Sequence, residues 1–212
     1  FPDMREGRGR VRVWARGARV LNTFAYTCGF GVAARAGSVL GLDFSPEMIA
    51  RARARSAGQA NITYEVADVR TWPWPAASFD CIASIATLHH LPLAETLGQM
   101  AGALRPGGVL LVLDLYQAAT PADFAVSGLA VPVGFALRLL RNRRLQDPLP
   151  VREAWAAHGP HDHYLTLAEV RCVAGHLLPG ARVRRHLFYR YSLVWRKPDA
   201  RTVKGASEVF VA

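Results

Sequence analysis

The chain has 212 residues, 51% of them apolar, and a formal net charge of +10. That length suits one domain with a sizeable core, and the apolar share excludes a disordered chain. Cys28, Cys81 and Cys172 are odd in number and form no C-x-x-C pair, which excludes a disulfide framework and a thiolate zinc site and points to a reducing, cytoplasmic compartment.

The basic balance invites a nucleic-acid reading. Nearly all of it is Arg, however, with Lys only at Lys197 and Lys204, in a chain also rich in Ala. It reads as a compositional bias of the source rather than a polyanion-binding face. The opening residues are charged rather than apolar, so no signal peptide is read there. The chain starts on Phe1 rather than Met, as a fragment or a fusion would.

In chain order, short apolar runs predict strands near Arg19–Asn22, Val39–Leu42, Ile62–Val66, Phe79–Ser84 and Val109–Leu113. Helical patterns fall between them, near Phe30–Ala36, Pro46–Ala57 and Leu93–Leu104. Pro106-Gly107-Gly108 reads as a turn ending the last helix and launching the fifth strand. This alternation implies βαβ units and a parallel sheet.

After Leu115 the rhythm breaks, and residues 117–160 have the profile of an insertion or lid. Phe124–Leu137 is apolar but too short for a membrane span and broken by Gly128, Pro132 and Gly134. The Arg residues that follow it admit a membrane-surface reading; a lid or core helix is preferred. Thr166-Leu-Ala-Glu169 is a capping box opening a helix to about Leu178, followed by strands at Arg182–Tyr189 and Tyr191–Arg196. Residues 1–198 are thus expected to form one domain, and 199–212 a tail.

The most informative segment is Val39-Leu-Gly-Leu-Asp43-Phe-Ser-Pro-Glu-Met48. A buried strand ends on Asp43, and Ser45 and Pro46 start a helix at once. A carboxylate delivered to the C-terminal end of such a strand can accept from two ribose hydroxyls. The plainer alternative is an acid favoured by the helix dipole. Phe44 would lie beside the nucleoside, and Met48 would cover the base or simply pack in the core. Asp68, past the third strand, can accept from an adenine amino group while the Val69 amide serves a ring nitrogen; a solvated loop aspartate is the alternative.

Taken in order, Asp43-Phe-Ser-Pro-Glu-Met, Ala67-Asp68, Pro75-x-x-Ser-Phe79-Asp80, Leu88-His-His-Leu91 and Leu104-Arg-Pro-Gly-Gly108 resemble the class I methyltransferases that use S-adenosylmethionine. The likeness spans residues 19–115 and is strongest to the small-molecule branch that includes the ubiquinone-biosynthesis enzymes. It implies an α/β, doubly wound, Rossmann-like fold whose seven-stranded sheet is mostly parallel with an antiparallel edge. It implies Asp43 on the ribose, Asp68 on the adenine, and Ile85 and Ala86 along the methionine end of the cofactor.

The first loop departs from that family. Where Asp-x-Gly-x-Gly-x-Gly is expected, the chain reads Asn22-Thr-Phe-Ala-Tyr-Thr-Cys-Gly-Phe-Gly31. Thr27, Gly29 and Gly31 are the loop residues expected to meet the cofactor, the glycines letting backbone amides approach closely. The first 37 residues are similar instead to the opening of the ribosomal-RNA cytosine-5 methyltransferases. Those enzymes need a cysteine nucleophile and an Asp-Pro-Pro-type loop after the fourth strand, where this chain has Ser84-Ile-Ala-Thr87.

His89 and His90 follow the fourth strand, close to where a methyl group would be delivered, and either could serve as a general base or be structural. His158, His161, Asp162 and His163 match no established metal spacing, and a substrate-pocket or capping role is preferred; no metal is expected. The expected activity is methyl transfer to an oxygen, nitrogen or carbon of a small-molecule acceptor. A non-catalytic cofactor-binding domain and an RNA methyltransferase are the alternatives.

Overall fold

The computed structural model describes residues 15–23, 36–126, 128, 132, 136 and 164–199. The expected helix near Phe30–Ala36, apart from Ala36 itself, lies outside them, as do most of the 117–160 insertion and all but Asp199 of the tail.

Seven strands form one sheet: β1 (Arg19–Asn22), β2 (Ser38–Asp43), β3 (Ile62–Val66), β4 (Phe79–Ile85), β5 (Leu104–Leu115), β6 (Arg182–His186) and β7 (Arg190–Arg196). Their order is β3-β2-β1-β4-β5-β7-β6. β1 to β5 run parallel, and β7 pairs antiparallel with both β5 and β6. The strand order reverses between β1 and β4, so a crevice opens at the C-terminal ends of these strands, where α/β sheets bind ligands.

The described helices include α1 (Pro46–Arg55), α2 (Leu93–Ala103) and α3 (Leu167–Leu177). Ser45 caps α1, its hydroxyl accepting from the Met48 N–H at 3.4 Å, and Pro46 takes a first-turn position where its missing N–H costs nothing. Glu47 near the start of α1 and Arg53 and Arg55 near its end complement the helix dipole. The capping box of α3 forms as the sequence implies, with Thr166 and Glu169 bonding reciprocally.

Alternation along the central strands divides the core between the sheet's two faces. On one, Leu21, Ile82, Leu110 and Val112 pack with Leu97 and Met100 of α2 and Val170 and Ala174 of α3. Leu97 is fully buried, so Leu97→Ala would cost about 2–5 kcal/mol. The other face carries Val20, Val39, Cys81, Ile85, Val109 and Leu111.

Several boundaries shift by one or two residues from the sequence expectation, and two differ by more. Pro106-Gly107-Gly108 does not precede β5 but lies within it: the partner of Phe79 is Leu104 and that of Cys81 is Val109, so the extra residues form an irregularity in the ladder. Gly107 takes φ +76°, and its N–H donates to the Lys197 carbonyl while the Lys197 N–H donates to the Gly108 carbonyl. Tertiary pairing with the segment after β7 thus extends the strand through a turn sequence. The strand expected over Arg182–Tyr189 ends at His186, and the hairpin turns through Phe188 and Tyr189, both at positive φ.

Where the insertion begins, residues 121–126 are helical. Asp123 is buried there and pairs with Arg185 of β6 at 2.9 Å. No helix among the described residues is long and apolar enough to cross a membrane.

Candidate active site

Asp43 is the last residue of β2 and only 5% exposed. Its Oδ1 accepts from the Ser45 N–H at 3.0 Å, an Asx-type turn that aims the carboxylate over the strand end. Phe44, the next residue, is 78% exposed. Val66, the partner of Asp43 in the β2–β3 ladder, is also exposed. An acceptor carboxylate therefore stands beside two apolar side chains left in solvent, the surroundings a ribose and its base require. Met48 is half-buried on the first turn of α1.

Asp68 sits past β3, where the sequence places it, but its carboxylate already has a partner. Both oxygens meet the Arg70 guanidinium, at 2.6 Å from Nη2 and 3.0 Å from Nε, and Oδ1 also accepts from the Arg70 N–H. Arg70 holds the carboxyl below the usual aspartate range, first through its side-chain hydrogen bonds and then through its backbone N–H. Val69 buries its side chain in the core. Its carbonyl accepts from Trp74 Nε1, and the Asp68 carbonyl from the Thr71 and Trp72 N–H groups, so this turn is rigid.

Thr27, Gly29 and Gly31 lie outside the described residues, as does Cys28. Just before them, Thr23 follows β1 with its N–H on the Ala83 carbonyl. Its buried hydroxyl has no hydrogen-bond partner among the described residues. A buried polar atom at the mouth of the crevice, with the Asp43 carboxylate and exposed Phe44 and Val66 along its rim, fits a nucleoside cofactor in donor chemistry.

Ile85 closes β4 and is buried. Ala86 follows at φ +51°, left-handed for a residue with a Cβ, at a cost of about 1–2 kcal/mol. Its N–H donates to the Leu113 carbonyl at 2.9 Å, which ties the strained residue to β5. Strain of this kind gathers where a chain must present its backbone to a ligand.

The structure separates the two histidines. Asp114, 1% exposed near the end of β5, gathers four donors. Its Oδ2 accepts from the Thr87 and Leu88 N–H groups at 3.1 and 2.5 Å. Its Oδ1 accepts from the Leu115 N–H at 2.7 Å and meets Nδ1 of His89 at 2.5 Å. In the neutral ring, a carboxylate there favours the tautomer with the proton on Nδ1, which leaves Nε2 as an acceptor. The His89 side chain is 6% exposed and stacks on Tyr164, with ring centroids 5.2 Å apart. His90 is exposed and lies against His89 at 3.9 Å.

Sequence reasoning did not find this pairing. In the sequence Asp114 and Tyr164 stand 25 and 75 residues after His89. The cue that could have found the dyad is an aspartate at the end of one central strand with a histidine just past its neighbour.

Cys81 is buried in β4, and burial, helped by the Asp80 charge, pushes its thiol up to about 12. It stays protonated and unreactive at neutral pH. Cys172 is exposed on α3. No cluster able to hold a metal occurs among the described residues, and the histidines from 158 to 163 lie outside them.

A methyltransferase-domain family model matches residues 26–108. An uncharacterised methyltransferase of Mycobacterium tuberculosis is 32% identical over 177 residues, which cover 81% of this chain and 84% of that protein. A trans-aconitate 2-methyltransferase of Streptomyces avermitilis is 32% identical over 153 residues, covering 67% of this chain and 54% of that one. Among solved structures, an S-adenosylmethionine-dependent methyltransferase from Mesorhizobium loti has a TM-score of 0.61 at 19% identity, covering 91% of this chain and 96% of that one.

Proposed function

Since the chain belongs to the S-adenosylmethionine-dependent class I methyltransferases, we propose that it methylates a small-molecule acceptor held at the ends of β4 and β5, with His89 as the general base. The single observation that carries this reading is the 2.5 Å contact between His89 Nδ1 and the buried Asp114 carboxylate. Names of similar proteins point the same way, since the Streptomyces relative is named for the small molecule trans-aconitate. The ordered motifs support the small-molecule branch that resembles the ubiquinone-biosynthesis enzymes. Against methylation of RNA cytosine stands Cys81, a buried thiol with no anionic form at neutral pH.

In this reading the crevice would hold the cofactor. Asp43 would accept from the ribose hydroxyls, Phe44 and Met48 would flank the base, Asp68 and the Val69 amide would meet the adenine edge, and Ile85 and Ala86 would line the methionine end. Thr27, Gly29 and Gly31 are the loop residues expected to meet it. S-adenosylmethionine supplies, when bound, an electrophilic methyl group on a positively charged sulfur.

What the chain adds is position and proton transfer. Asp114 fixes the His89 ring and its tautomer, and it anchors the Thr87 and Leu88 amides, so the whole turn after β4 is held as one unit. His89 Nε2 is then free in direction to take a proton from an acceptor O–H or N–H. Holding the two reactants in line supplies the larger share of the rate, and base catalysis about 10²–10⁴-fold.

The test is His89→Gln, which keeps the size and polarity of the side chain but removes the base. Its kcat is expected to fall about 100-fold or more, with the cofactor affinity measured by calorimetry within about threefold of wild type. Unchanged kcat in a variant that binds cofactor would exclude His89 as the base. His90→Gln serves as the contrast and is expected to retain most of the rate.

A further inference from the structure

Beside His89 a hollow of about 190 Å³ opens between the turn after β4, the start of α2, the end of β5 and the first turn of α3. Its walls are apolar: Leu88, Leu93, Leu115, Leu165 and Val170 all line it. Among the described residues, the polar side chains lining it are those of His89 and Tyr191, and none of the described lining residues is Asp, Glu, Lys or Arg. For scale, an apolar cavity of about 150 Å³ already admits benzene.

Resting on the reading of His89 as base, we propose that this hollow takes the apolar body of the acceptor, a ring-sized compound with a weakly acidic O–H, and rejects polycarboxylates. Size sets the first limit, since the space suits one ring. Charge sets the second. The Asp114 carboxylate is buried behind His89, and no cationic side chain among the described residues lines the hollow, so an anionic acceptor would lose its hydration with no compensating side chain among them.

An O–H acceptor finds both the groups it needs. His89 Nε2 accepts its proton. Tyr191, opposite Asp114 in the β5–β7 ladder, stays a donor because burial first, and the Asp114 charge second, push its phenol pKa up.

The step balances as follows. The acceptor oxygen forms its bond to the methyl carbon while the carbon–sulfur bond breaks, its electron pair going to sulfur. The hydroxyl proton passes to Nε2. A neutral methyl ether, S-adenosylhomocysteine and an imidazolium beside Asp114 result, and the imidazolium returns its proton to solvent.

The experiment uses the full chain and two probes, p-cresol and trans-aconitate, titrated by ligand-observed NMR without cofactor. Methylation is then followed by mass spectrometry with S-adenosylmethionine present. Expected are saturable p-cresol binding, a p-cresol methyl ether as product, and at least tenfold weaker response to trans-aconitate. Leu165→Trp, which fills the hollow from a half-buried position, is expected to weaken p-cresol at least tenfold while calorimetry shows cofactor binding within threefold of wild type. Should that variant lose cofactor binding, Leu115→Phe takes its place with the same expectation.

Absent p-cresol binding, or equal binding by the filled variants, overturns the hollow as the acceptor site and leaves the base assignment standing. Preferential methylation of trans-aconitate overturns the exclusion of polycarboxylates. Wild-type p-cresol turnover by His89→Gln instead removes the base assignment while leaving the hollow in place.

Discussion

The two ends of the crevice are built on opposite principles. At β2 and β3, Asp43 is braced by a residue two positions away, Asp68 by another two away, and the apolar partners Phe44 and Val66 stand in solvent. At β4 and β5, Asp114 draws together groups 25 to 27 residues distant, inside the protein. A binding end can be made from local turns that wait for their ligand. A proton-transfer end needs its partners already in place and dry, because a hydrogen bond gains strength as water is excluded.

The sharpest way to break this contrast is at Asp114. Asp114→Ala strands three backbone N–H groups and the His89 ring, and is expected to cost about 3–5 kcal/mol in urea denaturation. Asp114→Asn keeps the shape and is expected to be milder on stability yet to lower kcat at least about 100-fold, since an amide cannot hold the same tautomer as firmly. Equal effects of the two variants on kcat and stability would reduce Asp114 to a structural brace.

At the other end, Asp43→Ala is expected to leave the fold nearly intact but weaken S-adenosylmethionine about 10- to 100-fold, the worth of hydrogen bonds to a charged acceptor. Calorimetry measures the affinity, and kcat at saturating cofactor should move little. If affinity holds, the ribose is bound elsewhere.

Gly107 tests the frame behind both ends. A Cβ there would stand 2.6 Å from an Asp199 carboxylate oxygen, on a backbone at φ +76°. Gly107→Ala is expected to lower stability by about 1–2 kcal/mol in thermal unfolding, with cofactor affinity unchanged.

The smallest effect belongs to Arg70→Ala. The Asp68 carboxyl is held below its ordinary value by Arg70, so the stabilisation is complete above the unfolded aspartate pKa of about 3.9 and is lost as pH falls through the lower folded value. Arg70 is exposed and Asp68 only half-buried, so the neutral-pH difference from wild type should be slight and should vanish below that range in acid unfolding. The same variant releases Asp68. Cofactor affinity that holds or rises supports an adenine contact, and a fall shows that the ion pair itself shapes the site.

Much of the fold was readable from the chain. β1 and β3 have the bounds their apolar runs imply, and α1 and α3 start where Ser45 and Thr166 cap them. These are local devices, decided by residues within one turn of each other. The misread parts are those settled by distant partners. β5 runs through Pro106-Gly107-Gly108 because the residues after β7 pair with it, and Phe188 and Tyr189 turn the hairpin although both favour strands.

The sequence by itself determined the α/β alternation, the helix starts, and the acid that closes β2, because periodicity and capping act over a few residues. Only the tertiary structure decided that Arg70 occupies Asp68, that His89 meets the Asp114 carboxylate, and that an apolar hollow lies beside it. Those facts depend on which strands become neighbours. Strand adjacency brings Leu113 and Asp114 alongside the turn after β4, and nothing in the local residue pattern encodes that separation of 25 residues.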